Sequence, residues 1–351
     1  RICKLFIKKM SKKFTIIAGY GSIGKKYAAF LENKNYYIII FDPKFSNNKI
    51  QKKITYLNDY ASLSNEIKNK NIKTGIISSL ANTQYKNFNF FVKNGINKIL
   101  IEKPVTNNFS EFKKILNFKK KKNFFISTHF KWSALRLHKL IKKIEVDQKL
   151  GKPFQFNSFG GANCLATGGM HWIDFFIRHF KVNDNNIDIT SSLNLDKINP
   201  RDKSFYNIGG TVLLNCKNKS TAILSFNNSS RLAPLQSLIY KAHLLEFDIA
   251  GNYRLYRTHK KLDKLKITRY GIPELKKKGN FFKKKDDSLD LVVLNLLYKK
   301  KPLISLDKLA KVYKVLVAIL ISNKKKGSIN LNNIKNIIKK ENFYNKNLRF
   351  T

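Results

Sequence analysis

Short apolar runs alternate with amphipathic stretches over the first 130 residues. Residues 14–19 form an apolar run that ends in glycine, and a helix-compatible stretch follows through Leu31. A second continuous apolar run, residues 36–41, is typical of a parallel strand covered on both faces. Three more strand patterns alternate with helical ones: strands at 75–79, 98–102 and 124–128, helices at 62–68, 84–93 and 110–120. This alternation predicts an α/β fold with an amino-terminal Rossmann doubly wound parallel sheet.

The pattern changes after a predicted connecting helix at 135–150. Gly151-Lys152-Pro153 interrupts the chain, and longer strand patterns follow at 154–159, 209–215, 220–226 and 243–249. Helical patterns at 171–180, 288–298 and 306–322 are expected to cover one face of that sheet. The sequence therefore predicts a carboxy-terminal α+β domain with an open, mainly antiparallel sheet. The expected division is a leader at 1–12, a Rossmann domain at 13–131, a substrate-binding and oligomerisation domain at 132–330, and a terminal segment at 331–351.

Composition limits the possible partners and compartments. The chain has 351 residues and a formal net charge of +47, but the excess is nearly all lysine and accompanies abundant Asn, Ile, Phe and Tyr. Codon drift in an A/T-rich genome explains that bias, so we expect no specific nucleic-acid partner. No apolar run approaches the roughly 20 residues that a spanning helix needs. The 3 cysteines lack CxxC spacing, which favours a cytoplasmic protein without a disulfide framework or a metal site.

A glycine-rich turn is the first candidate site. Gly19-x-Gly21-x-x-Gly24 follows a strand and opens a helix, where Gly19 permits a tight turn and Gly21 lets the backbone approach a pyrophosphate. Gly24 allows close packing of the helix. Asp42 ends the second strand, where a carboxylate accepts hydrogen bonds from a ribose and repels a 2′-phosphate. The motif predicts NAD binding, with NADP left open by Lys44; a glycine turn without a ligand is the alternative.

Two further segments carry candidate catalytic groups. Glu102-Lys103-Pro104 lies at the carboxyl end of a predicted strand, where open α/β sheets place their ligands. A lysine in a desolvated cleft can exchange a proton with a hydroxyl, whereas a solvated Lys103 would have no such role. His171 and Asp174 share one face of a predicted helix. The alternative for them is structural: Asp174 paired with Arg178, and His171 as a core residue.

Together these segments resemble the glucose-fructose oxidoreductase and inositol dehydrogenase family, Gfo/Idh/MocA. The resemblance rests on the glycine fingerprint at 19–24, the segments 78–85 and 169–174, and Ile101-Glu102-Lys103-Pro104. It implies a substrate site and an oligomer face on the second domain, and a dimer or tetramer. It also implies that Lys103 and His171 are catalytic. The expected cofactor contacts are Gly19, Tyr20, Gly21, Ser22, Ile23, Gly24, Asp42, Ser79, Asn82, Glu102 and Lys103.

The chain departs from the family pattern in two places. Thr167 stands where many members carry an aspartate four residues before the histidine, and threonine cannot replace a carboxylate as a proton acceptor. His129-Phe130-Lys131 stands where members often have Asn-x-Arg, so the substrate wall differs. The candidate substrate contacts are Lys131, Asn163, Thr167 and Asp174.

The sequence therefore predicts an NAD(P)-dependent oxidoreductase that moves hydride between nicotinamide and a secondary alcohol or ketone. The expected substrate is a sugar, cyclitol or nucleotide sugar, in surface-polysaccharide biosynthesis. One alternative is a closed redox loop, an NAD-dependent epimerase or glycosidase without net NADH. Another is a dinucleotide-binding regulator that lacks catalysis.

Overall fold

The computed structural model describes residues 13–118, 124–161, 164–182, 187–195, 203–227, 229–283 and 286–340. The predicted leader at 1–12 and the end of the terminal segment, 341–351, lie outside the described residues. The predicted domain boundaries stay a prediction, although the chain does form the two expected sheets.

The amino-terminal sheet is a doubly wound α/β sheet, as predicted. Its seven strands have the order β3-β4-β2-β1-β5-β6-β7 and are parallel except for β3, which is antiparallel to β4. Because β1 pairs with both β2 and β5, the strand order reverses there, and the carboxyl ends of these strands frame a ligand crevice. The strands are β1 Phe14–Ala18, β2 Tyr37–Phe41, β3 Lys49–Gln51, β4 Ile54–Leu57, β5 Thr74–Ile77, β6 Lys98–Ile101 and β7 Phe125–Thr128; the helices are α1 Ser22–Asn33, α2 Tyr60–Lys70, α3 Ala81–Lys93 and α4 Phe109–Phe118.

The predicted connecting helix at 135–150 is present and slightly shorter, as α6 Leu137–Asp147. A short helix that was not predicted, α5 Lys131–Ala134, precedes it. Arg136 separates the two with a left-handed backbone, φ 56°. A helix cannot continue through a residue in that conformation, so α6 begins only after Arg136.

The second sheet is mainly antiparallel, as predicted. Its nine strands have the order β15-β14-β13-β12-β8-β11-β10-β9-β16, and only the β8–β11 pair among them is parallel in the described chain. A π-helical turn, Leu165–Gly169, leads into α7. The strands are β8 Gln155–Gly161, β9 Ile187–Asn194, β10 Gly209–Cys216, β11 Thr221–Asn227, β12 Leu235–Ile239, β13 His243–Asp248, β14 Asn252–Arg257, β15 Glu274–Asn280 and β16 Ile329–Asn330; the helices are α7 Met170–His179, α8 Ser288–Tyr298, α9 Leu306–Lys325 and α10 Ile334–Lys340.

Helices α7 and α9 cover the second sheet. The rings of Trp172 and Phe175 pack around Phe156 of β8 and Phe247 of β13. On α9, the carbonyl oxygen of Ile319 accepts a 2.7 Å hydrogen bond from the Ser191 hydroxyl of β9. The ring contacts hold the first turns of α7, which carry the candidate histidine, against the second sheet.

Helix α8 lies elsewhere than predicted. It was expected to cover the second sheet, but it packs against β6 and β7 of the Rossmann sheet. The Tyr36 hydroxyl donates to Tyr298 at 3.2 Å, and Lys98 Nζ donates to the carbonyl oxygen of Leu297 at 3.4 Å. A helical pattern shows that a face is apolar but not which sheet it covers, so the expectation was wrong.

Candidate dinucleotide and catalytic site

The glycine turn joins β1 to α1 and contains two glycines that the fold itself requires. Gly19 has φ 98°, and a Cβ there would lie 2.5 Å from the Ser79 nitrogen. A Cβ on Gly24 would overlap the carbonyl oxygen of Gly19. The Ser78 hydroxyl also donates to that carbonyl at 2.8 Å. Both glycines therefore hold α1 against the loop after β5.

Gly21 has a different role, because a Cβ there would meet no atom within 4 Å. It is the N-cap of α1, no side chain caps the helix, and no acidic residue lies in the first turn. The leading backbone amides and the positive end of the helix dipole therefore face open space. That cradle fits the pyrophosphate of a dinucleotide.

Asp42 lies beside this turn at the end of β2. Its Oδ2 accepts a 2.8 Å hydrogen bond from the Tyr20 nitrogen, and its Oδ1 accepts one of 3.1 Å from the Lys44 nitrogen. A carboxylate has about four acceptor sites, so capacity remains for ribose hydroxyls. The Tyr20 ring lies 6.0 Å from Phe45 and 5.8 Å from Tyr56, measured between centroids. No sequence pattern indicated these two aromatic residues; Tyr56 belongs to β4, a strand that was not predicted.

The other predicted cofactor residues surround the same crevice. Ser79 follows β5, and its hydroxyl accepts a 2.9 Å hydrogen bond from Asn87. Asn82 is exposed in the first turn of α3, Ser22 is exposed at the start of α1, and Ile23 is half-buried. All of them lie at the carboxyl end of the parallel sheet, at the reversal of strand order.

Lys103 reaches from the end of β6 to the second domain. Its Nζ donates a 2.9 Å hydrogen bond to the carbonyl oxygen of Thr167, in the π-helical turn before α7. The Thr167 hydroxyl is 3.3 Å from the carbonyl oxygen of Cys164, to which it donates. Thr167 therefore contacts the lysine through its backbone, which any residue could supply.

His171 lies one turn after Thr167, on α7. Its Nδ1 is buried and has no hydrogen-bond partner among the described residues, and its ring meets Phe130 edge-on. Burial, and then the positive charges of Lys103, His129 and Lys131, lower its pKa well below 6.5. The imidazole is therefore neutral at pH 7 and close enough to Lys103 to respond to its charge.

Glu102 is buried beneath the lysine in a network that the sequence analysis did not find. Its Oε1 accepts a hydrogen bond from Tyr27 of α1 and lies 3.0 Å from His129 Nδ1. His129 Nε2 lies 3.0 Å from the Ser288 hydroxyl of α8. Burial raises the pKa of Glu102, but His129, Lys103 and Tyr27 outweigh it and lower the pKa overall. The carboxylate stays ionised and fixes the strand end that carries Lys103.

The remaining predicted substrate residues have internal partners. Asp174 accepts hydrogen bonds from Arg178 Nε at 2.7 Å and from the Ser133 hydroxyl. Lys131 Nζ donates to the carbonyl oxygen of Ile249 at 3.0 Å. Asn163 lies outside the described residues. Asp174 thus forms the ion pair with Arg178 that the structural alternative described.

The described residues contain neither a metal-binding cluster nor a long apolar helix of membrane-spanning length. No group of three His, Cys, Asp or Glu side chains in the described ranges is arranged to hold a metal ion. None of the helices in the same ranges combines the length and the apolarity that a bilayer crossing demands.

Comparison with known proteins addresses the Rossmann domain first. Residues 13–130 match the family model described as oxidoreductase family, NAD-binding Rossmann fold, GFO_IDH_MocA. Residues 13–130 thus match the NAD-binding domain of the Gfo/Idh/MocA oxidoreductases. The resemblance inferred from the sequence is thereby confirmed, and NAD is the cofactor of the family. A search of curated protein sequences finds no match to this chain.

Solved structures extend the likeness to the second domain. UDP-N-acetylglucosamine 3-dehydrogenase from Acidithiobacillus ferrooxidans is 12% identical with TM-score 0.63, covering 89% of this chain and 98% of that one. Myo-inositol 2-dehydrogenase from Lactobacillus plantarum is 14% identical with TM-score 0.65, covering 91% and 99%. An oxidoreductase from Agrobacterium radiobacter in complex with NAD+, L-tartaric acid and magnesium is 11% identical with TM-score 0.65, covering 92% and 99%. At these identities the likeness establishes a shared two-domain fold.

Proposed function

We propose that this protein transfers hydride between NAD and a secondary alcohol or ketone of a sugar-like compound. The observation that carries the proposal is the 2.9 Å hydrogen bond from Lys103 Nζ to the carbonyl oxygen of Thr167. It brings an ammonium group from the Rossmann sheet to the turn that presents His171. Two groups able to bind one hydroxyl thus meet at the end of the parallel sheet, where the dinucleotide cradle opens.

The two side chains divide the work on the substrate oxygen. NAD, when bound between the glycine turn and Asp42, supplies the hydride acceptor. His171, neutral at pH 7, accepts a hydrogen bond and then the proton of the hydroxyl. Lys103, directed by the Thr167 carbonyl, stabilises the negative charge that develops on the oxygen. In the reductive direction the same groups return the proton.

The substrate class draws on the solved structures. One neighbour is named a myo-inositol 2-dehydrogenase and another a UDP-N-acetylglucosamine 3-dehydrogenase. We therefore favour a cyclitol, sugar or nucleotide sugar, with a role in surface-polysaccharide biosynthesis, a cytoplasmic location and a dimeric or tetrameric assembly. NADP is the alternative cofactor.

The test begins with titrations of NAD and of NADP into the protein, with binding measured by calorimetry. Sugars, cyclitols and nucleotide sugars are then screened for absorbance change at the nicotinamide band. Lys103→Met should retain NAD binding but lose turnover by at least about 100-fold, the usual cost of removing one group that stabilises a developing oxyanion. Lys93→Met, an exposed lysine on α3, is the matched control and should keep full activity.

The other outcomes separate the rival functions. Product formed without net absorbance change would indicate a closed redox loop, such as an epimerase or glycosidase. NAD binding with no turnover on any substrate, and a physiological function that survives Lys103→Met, would indicate a regulator. Failure of both dinucleotides to bind would refute the proposal.

A further inference from the structure

A cavity of about 650 Å³ opens at the far end of α7 from His171. Four segments line it: α6, the approach to β8, the end of α7 and the β10–β11 turn. His171 and Arg178 are seven residues apart, which is about 10 Å along a helix. The cavity is therefore separate from the candidate catalytic groups, and its volume suits a small-molecule ligand.

Positive charge distinguishes the wall of this cavity. Five cationic side chains line it, and no acidic residue does: Lys142, Lys152, Arg178, Lys181 and Lys219. The excess of lysine in the chain is not a sufficient explanation, because the cavity between β13 and β15 carries Glu246 and Asp248 beside its basic residues. A cavity lined by positive charges alone attracts anions, whereas a cavity of mixed charge does not.

Acidic groups accompany some of these cations, since the adjoining cavity, which shares Arg178 and Lys181, is lined by Asp174 and Asp307. Glu145 pairs with Lys142 at 2.6 Å, and Asp174 pairs with Arg178 at 2.7 Å. Lys152, Lys181 and Lys219 form no ion pair in the part of the chain that the structure describes. Among the described residues, three of the five cations in this wall are thus left without an ion pair.

Arg178 adds a donor that is already oriented. Asp174 fixes the guanidinium through Nε, the side chain is only 14% exposed, and Nη2 is buried without a partner among the described residues. A guanidinium held in this way presents a fixed positive charge to an anion in the cavity. Beside it, burial and the charges of Arg178 and His179 lower the pKa of His138 to about 4, so this wall residue adds no charge at pH 7.

The cavity also has an apolar side. Phe154 is 55% exposed at its rim, and Pro153 and Phe180 lie next to it. An exposed aromatic ring offers a stacking surface for a flat ring. A ligand with phosphate groups and an aromatic base would satisfy both sides of the wall.

We propose that this basic cavity is a second binding site, for a small organic phosphate of the nucleoside diphosphate type. Its phosphates lie against Arg178, Lys181 and Lys219, and its base lies against Phe154. The site is independent of the dinucleotide cradle and does not rest on the proposed reaction.

The test uses the full chain, with ADP as the probe and calorimetry as the readout, in saturating NAD so that the Rossmann crevice is filled. The double variant Lys181→Gln/Lys219→Gln removes two exposed cations and should weaken ADP binding at least tenfold. Phe154→Ala should weaken ADP more than inorganic pyrophosphate. The control Lys276→Gln/Lys277→Gln lowers the net charge equally on the exposed strand β15 and should leave binding unchanged.

Three results would overturn the proposal. Equal weakening by both double variants would show non-specific attraction to a basic surface. Binding that NAD displaces fully would place ADP in the Rossmann crevice; where NAD itself fails to bind, Gly21→Ala replaces saturation as the block on that crevice. A single-stranded oligonucleotide that binds wild type as tightly as ADP and is insensitive to Lys181→Gln/Lys219→Gln would assign the affinity to the whole surface.

Discussion

We expect Gly21 to be required for dinucleotide binding but not for the stability of the fold. Its backbone, φ −75° and ψ −165°, is open to any residue, and a Cβ there meets nothing within 4 Å. Gly21→Ala should therefore change the free energy of unfolding by less than about 1 kcal/mol, since the loss at the N-cap and the reduced freedom of the unfolded chain oppose each other. In the bound state the methyl group occupies the cradle of the pyrophosphate.

The expected loss of affinity follows from the contacts that the methyl group displaces. Moving the pyrophosphate off the leading amides of α1 costs one charge-assisted hydrogen bond or more, each worth about 1.5–3 kcal/mol. That range corresponds to a Kd for NAD raised about 10- to 150-fold. Gly24→Ala should also weaken NAD, but through the fold: its Cβ overlaps the carbonyl oxygen of Gly19, an overpacking that costs about 1–3 kcal/mol of stability.

Two measurements on the same samples test this reasoning. Calorimetry gives the Kd for NAD, and urea unfolding followed by tryptophan fluorescence gives stability, because Trp132 and Trp172 are buried. Gly327→Ala, remote from the crevice and unobstructed within 3.7 Å, is the matched control and should change neither value by much. Wild-type NAD affinity in Gly21→Ala would refute the placement of the pyrophosphate at this turn.

Three other predictions follow from particular side chains. Asp42→Ser should weaken the binding of NAD about tenfold. It should also reduce the ratio of the Kd for NADP to the Kd for NAD, because no carboxylate then repels a 2′-phosphate; an unchanged ratio would contradict this prediction. His129→Ala should lower the free energy of unfolding by about 1–3 kcal/mol, since it removes the side chain 3.0 Å from the buried Glu102 carboxylate, and His129→Asn should recover part of that loss in urea titrations. The pKa of His138 is lowered to about 4 in the folded state, so between about pH 6.5 and 4 only the unfolded chain gains a proton at this residue. The free energy of unfolding should therefore fall by about 1–2 kcal/mol, after solvent screening, as the pH falls through that window. His138→Gln should make the free energy of unfolding less dependent on pH in the same window.

The strands of the Rossmann sheet were predictable because the physical signal is strong. Ile38, Ile39 and Ile40 are all buried, since helices cover both faces of β2, and the run is therefore continuously apolar. Strand β15 shows the opposite case. All seven of its residues, Glu274–Asn280, are exposed, so no alternation of polar and apolar positions marks it. Such an edge strand forms by pairing with β14 and leaves no pattern in the sequence.

The site was predictable where one segment supplies both the motif and its geometry. The glycine turn and Asp42 belong to one βαβ unit, so local rules place them together. The network under Lys103 joins residues far apart in sequence: His129 is 102 residues from Tyr27 and 159 from Ser288. The sequence identified His129 only as a departure from the family pattern, and nothing local indicated that its ring turns towards Glu102.

The electrostatics around His171 bear on the missing aspartate. The charges that act on its ring, from Lys103, His129 and Lys131, all lower its pKa, and the nearby carboxylates Glu102 and Asp174 are occupied by His129 and Arg178. A carboxylate beside the histidine would favour its protonated form. Without one, the imidazole stays neutral and its lowered pKa makes it a weaker proton acceptor, while the same cationic surroundings favour an oxyanion. Thr167 thus fits a site that works by stabilising negative charge on the substrate oxygen.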